Sequence, residues 1–172
     1  SVREAELFML RRLGASEGCL LDVQNNLAVT YESVGRLEEA LQMKRDVYSG
    51  RLKLYGKQHE ATLLAANNYA WGLVLLERYE EAKSLMRKTM PVARRVLGEG
   101  NDLTLKMRAI YAEALYRDPA ATLEDLRLAV NTLEGTERTA RRVLGSAHPM
   151  TVDIGRTLQN ARAALARASL AK

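Results

Sequence analysis

The chain has 172 residues, 47% of them apolar and 27% charged, with a net charge of +5. These proportions exclude a disordered chain, and the single cysteine, Cys19, excludes an intrachain disulfide framework or a multi-cysteine metal site. Aromatic residues reach only 5%, so the core must come from Ala and Leu, which suits close-packed helices better than sheets.

Taken along the chain, the apolar period predicts about eight helices: 2–12, 19–34, 37–54, 60–77, 79–96, 102–117, 120–143 and 148–170. In the second, Leu20, Leu21, Leu27, Ala28, Tyr31 and Val34 share one stripe, and Gly35-Arg36 ends it. The third carries Leu37, Ala40, Leu41, Val47 and Tyr48 and stops at Gly56. The fourth starts at His59 and repeats the first pattern through Leu63, Ala66, Tyr69, Ala70, Leu73 and Leu76; Glu77-Arg78 then stands where Gly35-Arg36 stood. The fifth ends at Gly98 and the seventh at Gly145, where glycine best tolerates the left-handed C-terminal residue. Asn101 and His148 open the sixth and eighth helices, with Pro149 suited to a first turn. Asp118-Pro119 is read as opening the seventh, and Gly135 as a kink or break within it.

A repeat governs this order. Asn26-Leu27-Ala28 aligns with Asn68-Tyr69-Ala70 at an offset of 42, as Leu37-Glu38-Glu39-Ala40 does with Tyr79-Glu80-Glu81-Ala82. A further 42 brings Ile110-Tyr111-Ala112 under the Asn68 triplet. Ala93 to Gly98 recurs identically at Ala140 to Gly145, offset by 47, so five residues are inserted in the third repeat. Thr62, Thr104 and Thr151 each lie six residues after the repeat glycine, so the register survives the insertion.

The segments N-N-L-A-V-T-Y-E-S-V-G-R-L-E-E-A (25–40) and N-N-Y-A-W-G-L-V-L-L-E-R-Y-E-E-A (67–82), with linkers L-G-E-G-N-D-L-T-L (97–105) and L-G-S-A-H-P-M-T-V (144–152), carry a resemblance. The chain resembles the tetratricopeptide repeat in the 42-residue variant of kinesin light chains and related adaptors or sensors. The resemblance implies an all-α, right-handed α-solenoid, or superhelix, forming one array. Residues 1–13 would be the second helix of a preceding repeat, followed by repeats at 14–56, 57–98 and 99–145. Residues 146–172 would be the first helix of a partial repeat or a cap. The Ser1 start and the unpartnered end helices read as a piece of a longer array, with an apolar face exposed at one or both ends.

The resemblance also implies a non-enzymatic module whose first helices line a concave groove for a peptide or protein segment. On that face stand Asn26, Leu64, Asn68, Trp71, Leu75, Lys106, Glu113, Arg117, Arg156 and Asn160. An asparagine amide both donates and accepts, so Asn26 and Asn68 suit a peptide backbone; they equally suit a bridge between neighbouring helices. Lys106, Arg117 and Arg156 suit a carboxylate. Trp71 with Leu64, Val74 and Leu75 suits an apolar anchor, or else packing between repeats. Because bases gather toward the C-terminal half, an acidic or amphipathic peptide is the expected partner.

The remaining features read as architecture. Glu38-Glu39, Glu80-Glu81 and Glu124-Asp125 open second helices, where negative charge favours the helix dipole. Arg11-Arg12, Arg94-Arg95 and Arg141-Arg142 lie near helix C-termini, and too few aromatics interleave with them for a nucleic-acid surface. Cys19 beside Leu20 reads as a buried, inert thiol. His59 and His148 lack a third ligand at helical spacing, so no metal is expected. No phosphate loop, dinucleotide fingerprint or nucleophile elbow occurs, so neither catalysis nor a cofactor is expected. No apolar run approaches a membrane span and no secretory signal is visible, so the expected location is cytoplasmic. The alternatives are a homodimer formed through helices 2–12 or 148–170, and a regulatory segment of a larger signalling protein.

Overall fold

The computed structural model describes residues 16–170, together with Ala5, Phe8 and Gly14. Among them are seven α-helices and no strand: α1 (Glu17–Ser33), α2 (Leu37–Tyr55), α3 (Glu60–Leu75), α4 (Tyr79–Leu97), α5 (Asp102–Arg117), α6 (Leu123–Leu144) and α7 (Pro149–Leu170). The count is seven rather than about eight because the helix expected at 2–12 lies outside the described residues, apart from Ala5 and Phe8.

Local chemistry explains where the helices begin and end. Gly56, Gly98 and Gly145 leave the second helices at φ 79°, 94° and 91° with extended ψ, a region open essentially to glycine alone. Three residues later, His59, Asn101 and His148 cap the first helices. Their side chains accept from the amides of Ala61 (3.1 Å), Leu103 (2.8 Å) and Met150 (3.2 Å). Each satisfies a donor that the helix itself leaves unpaired.

The third repeat departs from expectation. Pro119 does not open α6: Asp118 accepts from the Ala120 amide at 2.9 Å and forms a turn, and Thr122 is the cap. Thr122 and Asp125 form a reciprocal capping box. Two of the five inserted residues lengthen this loop and three extend the start of α6. Gly135 does not break the helix, which runs continuously from Leu123 to Leu144.

The repeat alanines explain the close packing. Ala28, Ala70, Ala82, Ala112, Ala129 and Ala161 are fully buried, and Ala40 nearly so. A larger side chain there would overpack the contact at about 1–3 kcal/mol. One continuous apolar cluster runs from Leu41 of α2 through Leu73, Met86, Leu105 and Leu133 to Leu158 of α7. Two small clusters around Leu21 and Leu27 hold α1 separately. Buried cations add cross-ties: Lys44 to Glu32 at 2.6 Å, Arg51 to Asp22, and Lys83 to Asp118 at 2.8 Å.

Among the described residues, the backbone of α5 approaches those of both α3 and α7, while those of α2, α4 and α6 do not approach one another. The stack therefore curves toward its first helices and opens clefts between its second ones. One expectation fails. Cys19 is exposed rather than buried. On α7 the exposed large apolar residues are only Val152 and Leu170, so the outer surface of this helix is largely polar.

Candidate functional site on the first helices

The inner face of α3, α5 and α7 forms a groove of ≈ 510 Å³. Asn67, Asn68 and Trp71 enter it from α3, Lys106 and Ile110 from α5, and Met150, Asp153 and Ile154 from α7. The stripe that packs against the second helices faces away from it, which leaves these positions free for contact.

Asn68 is tied on both sides: it donates to Asn25 Oδ1 at 3.1 Å and accepts from Asn67 Nδ2 at 3.3 Å. The bridge between neighbouring first helices thus exists, and it runs through Asn25; Asn26 is exposed on α1 away from the groove. Asn67, 7% exposed, carries a buried Oδ1 that accepts from no group among the described residues. Such an acceptor normally has a partner.

Trp71 is half-buried, packs against the main core and lines the groove. Leu64, Val74 and Leu75 do not join it there: Val74 is fully buried, Leu64 is exposed at 40% and Leu75 is half-buried outside the groove. The apolar wall comes instead from Ile110, Met150 and Ile154. Helical spacing along α3 grouped the leucines with Trp71. The true neighbours come from other helices, through an axial stagger that periodicity does not encode.

The cations divide. Lys106 is exposed at the groove and has no ion-pair partner among the described residues. Arg117 pairs with Glu113 at 3.1 Å, one turn away on α5 and outside the groove. Burial, the largest single influence, works against its guanidinium, but the Glu113 bond together with the Glu113 charge and the nearby Tyr79 and Tyr116 holds it above its ordinary value. Beside them Tyr116, raised mainly by burial, bonds to Asn160 of α7. Arg156 pairs with Asp153 at 3.2 Å in open solvent, an interaction worth about 0–1 kcal/mol. Of the ten residues expected to form one site, Asn68, Trp71 and Lys106 therefore meet in the groove. Glu113, Arg117 and Asn160 form a second polar group along α5 and α7. Sequence reasoning gave His148 and Pro149 only a structural role, yet both also line the groove, because the start of α7 lies over the face of α5.

No group of three His, Cys, Asp or Glu residues among the described residues is arranged to hold a metal. No helix among them is long and apolar enough to cross a membrane.

A curved stack of paired helices with a groove on its first helices defines a helical-repeat protein. Residues 19–95 match the family model "Tetratricopeptide repeat". The whole fold is similar to kinesin light chain nearly identical TPR-like repeats from Podosopora anserina, at 20% identity and TM-score 0.78, covering 98% of this chain and 78% of the other. A second structure of those repeats gives TM-score 0.76 at the same identity and coverage. BtubC (BKLC) from P. vanneervenii is similar at 16% identity and TM-score 0.71, covering 97% and 69%. At such identities the likeness is one of fold. No curated protein matches the chain.

Proposed function

We propose that this chain is a non-catalytic binding module that takes an extended segment of a partner protein in the groove of α3, α5 and α7. The repeats that it carries typically mediate protein–protein interaction, which favours a protein partner over a small metabolite. The observation that carries the reading is the convergence of Trp71, Asn67 and Lys106 on one groove. A flat aromatic ring offers an apolar anchor, an unpartnered acceptor offers a bond to a peptide N–H once its amide turns toward the groove, and a free ammonium offers a partner for a carboxylate. The segment so read has one apolar anchor flanked by an acidic residue.

Trp71 is the sole tryptophan, so its fluorescence reports the groove directly. Peptides selected by display on this chain should shift that emission on binding. Trp71→Ala should weaken them at least tenfold, about 1.4 kcal/mol, and Lys106→Ala should weaken chiefly those with an acidic residue. Peptides that bind with unchanged emission and unchanged affinity for both variants would place the binding surface elsewhere.

A further inference from the structure

On the opposite side of the molecule lie two clefts between second helices that occupy equivalent places in successive repeats. The first, between α2 and α4, measures ≈ 220 Å³ and is lined by Tyr48, Leu52, Lys57, Lys88 and Val92. The second, between α4 and α6, measures ≈ 420 Å³ and is lined by the matching Met90, Arg94, Glu99, Gly135 and Thr139. The offsets of 42 and 47 pair these positions one by one. The earlier cleft is thus an internal control for the later one.

Every matched pair differs, Lys57 becoming Glu99 among them, and three differences set the cations and the opening of the later cleft. Leu52 becomes Arg94. Ala66, fully buried in α3, becomes Arg108 of α5. Lys88 becomes Gly135, whose missing side chain opens the cleft; a Cβ there would stand 3.1 Å from Arg108 Nη2. Arg142 completes the lining from α6. The scaffold does not require a cation at the Arg108 position, since alanine fills it one repeat earlier.

The charge within the cleft is left unbalanced. Arg94 and Arg108 share the single carboxylate of Glu99, at 2.6 Å and 3.3 Å, and Arg142 has no ion-pair partner among the described residues. The Arg108 side chain is only 18% exposed. Burial depresses its pKa, Glu99 opposes this, and the nearby Arg94 adds to the depression. Leaving a buried cation half-compensated costs stability, which favours a role beyond packing.

The geometry points to a binding site for a phosphate-bearing group in the cleft between α4 and α6, held by Arg94, Arg108 and Arg142. Three guanidiniums against one carboxylate leave two positive charges, which matches a phosphomonoester dianion better than a carboxylate. They arrive from three different helices, so they can reach separate oxygens of a tetrahedral group, whereas a planar carboxylate is satisfied by one fork. The cleft, ≈ 420 Å³, accommodates one phosphate with a small organic portion rather than a run of backbone phosphates.

Calorimetry at low ionic strength tests this with a short phosphoserine peptide, its unphosphorylated twin, ribose 5-phosphate and inorganic phosphate. The phosphate-bearing probes should bind saturably and the unphosphorylated peptide should not. Arg108→Ala, which restores the residue of the preceding repeat, should reduce affinity at least tenfold. Gly135→Leu should do the same by filling the cleft without changing charge. Both variants should keep the helical circular dichroism of the parent. Tighter binding of the phosphopeptide identifies a phosphorylated protein segment as the source, and tighter binding of ribose 5-phosphate a small free ligand. Absence of saturable binding by every probe, or binding that survives both substitutions, overturns the site.

Discussion

At Glu77 the backbone enters the left-handed region, φ 58°, where the preceding repeat has Gly35 at φ 81°. A side chain in that conformation costs roughly 1–2 kcal/mol, offset in part by the greater chain entropy glycine brings to the unfolded state. Glu77→Gly should therefore stabilise the fold by about 0.5–1 kcal/mol, a rise in Tm of roughly 2 °C for a chain of this size. Gly35→Ala should shift Tm the other way; a Glu77→Gly variant that melts no higher than the parent contradicts the argument. The need for positive φ at this break was legible in the sequence, because Gly35-Arg36 and Glu77-Arg78 fall in one register. The exposure of Cys19 was not legible, because an apolar stripe fixes which side of a helix is inward only where a neighbour covers it. Trp71 lies between these cases: its helix and face were readable, but its groove partners on α5 and α7 were not.

Each second helix opens with a pairing between its cap residue and the carboxylate three positions on, realised in different chemistry. Arg36 grips Glu39 and Arg78 grips Glu81 as ion pairs, while Thr122 and Asp125 exchange hydrogen bonds. The repeated carboxylate pairs made this legible, whereas the true start of α6 was hidden because Pro119 is equally at home in a first turn and in a loop. The bond from Arg78 holds Glu81 below its ordinary carboxylate range, the bonds from Thr122 do so for Asp125, and that from Lys83 for Asp118. Depressed carboxylates stabilise the fold above their unfolded values, near pH 4, and lose that contribution as the pH falls through their lower folded values. Thermal melts should thus be flat from about pH 6 to 5 and drop below about pH 4. Asp118→Asn, which removes the charge facing buried Lys83, should lower Tm at neutral pH and flatten the acid limb. An unchanged limb would show that this pair contributes nothing to acid sensitivity.

Across the whole molecule, each repeat touches only its neighbours, so stability need not be uniform. The continuous core binds α2 through α7, while α1 rests on two small clusters, two ion pairs and the Asn25–Asn68 bond. Amides in the middle of α1 should therefore exchange with deuterium at least tenfold faster than those of α5; equal protection would mean that the array opens as one unit. The all-helical architecture was legible from the 42-residue period alone, since paired helices of this length must stack to bury their apolar stripes. The stagger that builds the groove was not, because it arises from contacts between repeats. The paired outer clefts carry a consequence for engineering. Their walls are set by positions 52, 66 and 88 in one repeat and 94, 108 and 135 in the next, none of which is a capping residue or a repeat glycine with positive φ. The recess is in that sense a cassette. Writing Leu52→Arg, Ala66→Arg and Lys88→Gly into one chain should transplant it a repeat upstream, converting one pocket into two spaced by a single unit of the array.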